Sequence, residues 1–498
     1  MGEELMLLSN NEGHGKAKRS LALAVSLLLS PVVMQSAQAD VLNVTADFDP
    51  REVRQGGDNS TTTMTSNAFS KPSTLLKGSH RADFKVGNSF FKNPWVVAPA
   101  STDARDGLGS LFNVNACQSC HIKDGRGHAP RDASDRADSM LIRLSILPQN
   151  QAHQDLLKQG KTASIAEPNY GGQFQDQSVF GVKPEGRVEV TWKMVDVTFA
   201  DGEVVELRKP EFALTRLAYG ELHPDTKMSP RVAPPMIGLG LLEAIDSKDI
   251  LGQQDQNDNN NDGISGRANW VVDAKTGDLV LGRFGWKAGQ PSLEQQGAGA
   301  FNGDMGLTTS LFTSENCTSA QTSCLNAPTG SRQGEPEVSD AILDAVTFYS
   351  QNLAVPVRRD ADHIDVLKGK ALFYEAGCQS CHTPAYKTGA SASVDKHLRN
   401  QIIYPYTDML LHDMGEELSD GGHTEFLAEG NEWRTPPLWG IGMAETVNGH
   451  TEFLHDGRAR NVMEAVLWHG GEAEKSKQLV LQMSKEERKQ LVRFLNSL

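Results

Sequence analysis

Basic residues are scarce relative to acids. Against 63 Asp and Glu stand 48 Lys and Arg in 498 residues, a formal charge of −15. With no basic run beyond a short N-terminal lead, the chain is a poor candidate for nucleic-acid binding. A basic partner protein suits such a surface, as it suits that of many acidic proteins. Long apolar runs are also missing. After residue 39 no stretch approaches the roughly 20 apolar residues that a membrane-spanning helix needs. No serine triad, phosphate-binding loop or dinucleotide fingerprint is found, and Gly238-Leu239-Gly240 lacks a third glycine at the required spacing. Cysteine is rare: there are six, and four of them fall in two copies of one pentapeptide.

The pentapeptide is Cys-Gln-Ser-Cys-His, at Cys117 to His121 and again at Cys378 to His382. It is the attachment pattern of a c-type haem. Two thiols at this spacing add across the two vinyl groups of one porphyrin, and the adjacent histidine ligates the iron as a neutral imidazole. The competing readings are a redox dithiol and half a zinc site. A dithiol has no need of the following histidine, and structural zinc gathers four ligands from close pairs. The sequence therefore predicts two covalent haem c groups, on Cys117, Cys120 and His121, and on Cys378, Cys381 and His382.

The N-terminus agrees with that chemistry. Lys16, Lys18 and Arg19 precede an apolar run from Leu21 to Val33, and Ala37-Gln38-Ala39 offers a small-residue cleavage site. Residues 1–39 read as a secretory signal peptide, with an uncleaved anchor as the alternative. Covalent haem c is fitted outside the cytoplasm, so the periplasm is the expected compartment, with no membrane span after cleavage. In an oxidising compartment the remaining Cys317 and Cys324 are expected to close their short loop as a disulfide.

The chain holds an internal repeat. Leu111-Phe112 leads into the first pentapeptide at the same offset as Leu372-Phe373 into the second. Phe84 to Phe91, Val366 to Phe373, Ser339 to Asn352, Asn461 to Trp468 and Lys485 to Leu498 read as helices. Alternation from Arg187 to Phe199, a turn at Asp201-Gly202 and a second run at Val204 to Leu207 predict a β-hairpin. The resulting expectation is a mainly α chain with two cytochrome c-like haem domains, residues 40–355 and 356–498, and the hairpin inserted in the first.

The loop Asp255 to Gly263 is dense in oxygen donors. Asp258, Asn260 and Asp262 alternate before Gly263, as in the first half of an EF-hand loop. The twelfth position is Asn269 rather than a bidentate Glu. Calcium at Asp258, Asn260 and Asp262 is the functional reading, and a solvated polar loop the alternative.

Several segments together resemble the bacterial di-haem oxidoreductases, relatives of the di-haem cytochrome c peroxidases and of the di-haem enzyme that matures the tryptophan-derived cofactor of methylamine dehydrogenase. The segments are Ser229-Pro230-Arg231, Gly238 to Glu243, Asp262 to Arg267, Arg283 to Lys287, Asp304-Met305-Gly306, Arg434 to Trp439, Phe453 to Gly457 and Trp468 to Glu472. The resemblance implies one closed haem and one open haem. It places the distal ligand of the C-terminal haem at His469, 14 residues after His455, where the related peroxidases often carry Met. Met414 is the alternative ligand, and a surface histidine the alternative reading of His469.

The resemblance also implies an aromatic residue between the haems, here Trp286, followed by an orienting glutamine and a carboxylic acid. Gln296 lies ten positions after Trp286, as in the family. The acid arrives two residues early and is Asp304 rather than Glu. The alternative for Asp304 is a helix cap, and that for Trp286 is a packed core residue. Glu294 and Glu243 are the runner-up acids, and His128 is a candidate resting-state ligand of the first haem. Arg434 and His455 read as partners of haem propionates, because a guanidinium matches a carboxylate, with an ordinary loop salt bridge as the alternative.

The expected activity is reduction of hydrogen peroxide or an organic peroxide at the N-terminal haem. Electrons come from a periplasmic donor protein by way of the C-terminal haem. The competing classes are a dioxygen-activating or protein-oxidising di-haem enzyme, and an electron carrier with both irons six-coordinate.

Overall fold

The computed structural model describes residues 42, 44–102, 104–131, 135, 138–331, 334–391 and 394–498. The proposed signal peptide lies outside them. Around the first pentapeptide, helix α1 (Ser79–Lys92), α2 (Leu293–Met305) and α3 (Asp340–Gln351) pack together. Their apolar faces meet through Phe84 and Phe91, through Phe301 and Met305, and through Val346 and Tyr349. Ser292 caps the start of α2, accepting a hydrogen bond from Gln295 N. Around the second pentapeptide, α4 (Ile364–Glu375), α5 (Val462–Trp468) and α6 (Lys485–Leu495) build the corresponding core, with Phe373, Trp468 and Phe494 at its centre. A full capping box of Ser484 and Glu487 starts α6.

Both helix pairs close on a glycine. A Cβ at Gly87 in α1 would collide with Ala345 O of α3, and one at Gly369 in α4 would collide with Gln490 O of α6. The helix that precedes each pentapeptide thus lies backbone to backbone against its partner at one residue.

The structure is 30% helical and 18% strand. Its strands form six small sheets among the described residues, and no haem-domain fold is shown. This corrects the expectation of a mainly α chain of two cytochrome c-like domains. The reason is physical. Most strands are two or three residues long, too short to carry a period-2 signature. Even the Leu-Phe repeat diverges: Leu111-Phe112 is a strand paired with Gln177-Ser178, whereas Leu372-Phe373 lies inside α4.

The longer strands frame the site. Strand β1 (Met140–Ile146) lies between β2 (Gln173–Phe174) and β5 (Thr226–Val232). The hairpin of β3 (Arg187–Thr198) and β4 (Val204–Thr215) pairs over its full length. Near its tip, Phe199 and Leu207 enter the core around the second pentapeptide. There Arg488 covers the Phe199 ring at 4.0 Å and bonds Asp201 and Glu203. Strand β6 (Leu411–Asp413) pairs with β7 (Glu432–Arg434). The N-terminal segment is locked to α4 by a buried triad, in which Glu52 binds Arg358 at 2.7 Å and Lys370 at 2.6 Å. No helix among the described residues is long and apolar enough to cross a membrane.

Candidate functional site

The two pentapeptides open onto one continuous cavity of about 400 Å³. Cys117, Cys120 and His121 line it, and so do Cys378, Cys381 and His382. Each histidine is oriented by a backbone carbonyl of another segment. His121 Nδ1 hydrogen-bonds Pro234 O at 2.8 Å, and His382 Nδ1 bonds Tyr406 O at 2.9 Å. In both rings this hydrogen bond engages Nδ1 rather than Nε2, with Gly125 as a further backbone neighbour of His121. Burial lowers the pKa of each imidazole to about 4, so both are neutral. A neutral ring tied at Nδ1 to a carbonyl is how a protein presents Nε2 to a metal.

The thiols discriminate between the readings of the motif. Burial pushes Cys117 and Cys378 up to about 12, and Cys120 and Cys381 are raised as well. Redox dithiols need a lowered pKa, so these pairs do not suit dithiol exchange. Reduced thiols on a mostly apolar cavity, each pair beside an oriented imidazole, fit covalently held haem.

His469 lines the same cavity. It sits just past the end of α5, with Nδ1 bonded to Ala465 O at 2.7 Å and Nε2 free. Burial lowers its pKa, and its proximity lowers that of His382. The structure therefore brings His469 to the second pentapeptide as a third neutral imidazole of the same type. Met414 also lines the cavity and packs against two hydrophobic clusters.

Arg434 and His455 both reach the cavity. Arg434 makes no ion pair among the described residues. Its Nε donates to Gly285 O at 2.9 Å and its backbone N to Trp286 O at 2.8 Å, which fixes the turn bearing Trp286. Burial lowers its pKa to about 10. Asp408 opposes that shift from nearby, but its carboxylate is bonded to His412, and an acid on the bound group would give the buried guanidinium a direct partner. His455 stacks on Trp433 at 3.7 Å and lies 3.6 Å from Asp456 Oδ2, and burial drives its pKa to about 3.

Trp286 is buried on the cavity wall, its Nε1 donating to Val232 O at 2.8 Å and its ring edge-on to His455 at 6.5 Å. Gln296 and Asp304 face the cavity from α2. Asp304 lies close enough to Cys117 and Cys120 to raise both thiols. Its backbone carbonyl accepts from Asn113 N and Val114 N, which holds the approach to the first pentapeptide. Burial raises the Asp304 carboxyl, while Arg143 and a 2.8 Å hydrogen bond from Gln173 pull it back. The runner-up acids are engaged elsewhere. Glu294 pairs with Lys275 at 2.6 Å, Glu243 binds Leu293 N and Gln351, and neither lines the cavity.

Other candidates fall outside the cavity. His128 turns its Nδ1 to Ala129 O and its ring to His450. In the 255–263 loop, Asp258 accepts from Asp262 N at 2.9 Å, Asn260 donates to Asp262 Oδ2 at 3.0 Å, and Asp262 accepts from Ile264 N. Cys317 and Cys324 form the expected disulfide.

Sequence reasoning missed four cavity residues. Arg126, next to the first pentapeptide, donates from Nη2 to Leu454 O while its buried Nε has no partner. Arg143 faces Asp304, Arg231 binds Glu425 at 2.6 Å, and His412 stands between two carboxylates. Only Arg126, through its closeness to His121, carried a local signal. The others depend on contacts that no spacing encodes.

The family model described as "Di-haem oxidoreductase, putative peroxidase" matches residues 51–498. No curated protein matches the chain.

Proposed function

This chain belongs to the di-haem oxidoreductase family, and from that premise we propose that it is a periplasmic peroxidase carrying two covalently attached haem c groups. Cys117 and Cys120 hold the first through thioethers and Cys378 and Cys381 the second, with His121 and His382 as iron ligands. His469 would serve as a further iron ligand at the second. When bound, the first haem would supply the redox chemistry by which hydrogen peroxide or an organic peroxide takes up two electrons and two protons.

The chain's own residues divide the remaining work. Asp304 takes the proton from the near peroxide oxygen and returns it to the leaving oxygen. Its buried, raised carboxyl suits a group that must both hold and release a proton. Gln296 orients the peroxide from the same face of α2. Trp286, held rigid by Val232 O and by the Arg434 turn, stands on the electron route from the second pentapeptide to the first. Arg434, His455 and Arg126 meet the propionates. An external periplasmic protein is the electron donor.

The observation that carries this reading is an asymmetry within one cavity. The His382 side is matched by a second oriented imidazole close enough to act on it, whereas no histidine among the described residues acts on His121, and the carboxyl beside Cys117 and Cys120 is Asp304. The test is peroxide consumption by the reduced protein. Asp304→Asn is expected to slow turnover by ~10²-fold or more with haem content unchanged. Unimpaired turnover would remove Asp304 from the mechanism.

Calcium is the remaining component of the proposal, supported by the donors on Asp258, Asn260 and Asp262. Calorimetric titration of the chelator-treated protein is expected to show one binding event that Asp262→Asn abolishes. Equal heats in both proteins would reject the site.

A further inference from the structure

Beside the second pentapeptide lies a buried line of charge that the proposed reaction does not use. His412 on β6 is gripped at both ring nitrogens. Nε2 stands 2.7 Å from Asp408 Oδ2, and Nδ1 stands 2.6 Å from Glu472 Oε2. The three side chains are 3%, 3% and 10% exposed in the order His412, Asp408, Glu472. A neutral imidazole owns a single N–H and cannot donate to two carboxylates at once. The ring is therefore an imidazolium donating in both directions. Burial opposes that charge, but Asp408, the Cys381 Sγ at 3.7 Å from Nδ1, and Glu472 outweigh it and hold the pKa well above its ordinary value.

The two ends of this line are anchored to different ligand segments. Asp408 N donates to Cys381 O at 2.9 Å, and Asp408 follows by two residues Tyr406, whose carbonyl orients His382. Glu472 follows His469 by three residues. Its carboxylate also accepts from Ser265 N at 3.0 Å, Ser265 Oγ at 2.7 Å and Asp413 N at 3.3 Å. Between His469 and Glu472, Gly471 adopts φ 54°, and a Cβ there would collide with Asp413 O. The His469 turn is thus pressed onto β6 at the backbone as well as through the side chains.

The geometry points to His412 as a positioning residue: a charged strut, clamped by Asp408 and Glu472, that fixes the distance between the His382 and His469 segments and so keeps His469 on the second haem. This rests on the reading of His469 as the sixth ligand. Outer-shell partners of metal ligands are typically worth 10- to 100-fold in metal affinity. Breaking the strut should therefore loosen His469 by about that factor.

The test uses the di-haem protein and three variants: His412→Gln, Glu472→Gln and His469→Ala. The readouts are ferric electron paramagnetic resonance and the rate at which the reduced second haem captures carbon monoxide, which requires His469 to leave. Both strut variants are expected to accelerate the slow capture phase by roughly 10- to 100-fold and to introduce a high-spin ferric signal. His469→Ala should abolish the slow phase. If His412→Gln fails to retain haem, Glu472→Gln decides alone, since it keeps the shape and removes only the charge. Parental capture rates in the strut variants, beside a high-spin His469→Ala protein, would reject the strut and leave the ligand assignment standing. A His469→Ala protein with the parental spin state would overturn the ligand assignment, and the strut with it.

Discussion

At the residue scale, a few side chains take their chemistry from their neighbours. Burial raises the Asp304 carboxyl, against the pull of Arg143 and Gln173. Asp304 must be a carboxylate to accept the peroxide proton. Turnover should therefore fall as pH drops through that raised value, before an exposed aspartate would protonate. The pH profile of peroxide turnover checks this: the acid limb is expected in the parent and absent from the residual activity of Asp304→Asn. A limb that survives the substitution would assign the titration to another group. The pentapeptides were legible because their chemistry is local, with both thiols and the imidazole inside five residues. His469 was reached through its offset from His455. By contrast, Gln173 meets Asp304 across 131 residues of chain, and the acids that clamp His412 come from different segments. Such contacts exist only in the folded molecule.

At the element scale, the amphipathic helices were the readable part. Helices α3, α4 and α5 lie within a few residues of the ranges predicted for them, and for α3 and α4 a 3.6-residue period over three turns is a strong signal. The hairpin was readable in its first strand and its turn. Its second strand runs on to Thr215, through Pro210 and charged residues, where alternation fades. The two- and three-residue strands left no trace of period at all. The matched glycines of α1 and α4 show a symmetry the sequence conceals, since Gly87 and Gly369 stand at different distances from their pentapeptides. Gly87→Ala and Gly369→Ala should each force a helix pair apart. The expected cost is ~1–3 kcal/mol, read as a lowered thermal midpoint. Haem loss should be selective, from the first pentapeptide for Gly87→Ala and from the second for Gly369→Ala. Parental stability in both variants would mean that the helix crossings are not tight.

At the scale of the whole molecule, what matters is that two sites share one cavity. Fold class was misjudged because the repeat of pentapeptides invited a picture of two like helical domains. The folded chain instead surrounds the cavity with small sheets and with segments drawn from both halves. Asn448 and Leu454 reach back to the first pentapeptide through Ile122 O and Arg126. The hairpin from the first half enters the core around the second. This interleaving places Trp286, Arg434 and His455 on the wall of one cavity, where the proposed electron route runs. The proposed function needs one iron open to ligands and the other closed by His469. Titration of the oxidised di-haem protein with cyanide separates the two. One cyanide is expected to bind per chain, with one low-spin bis-imidazole resonance left untouched. Binding of two cyanides, or of none, would rule the arrangement out.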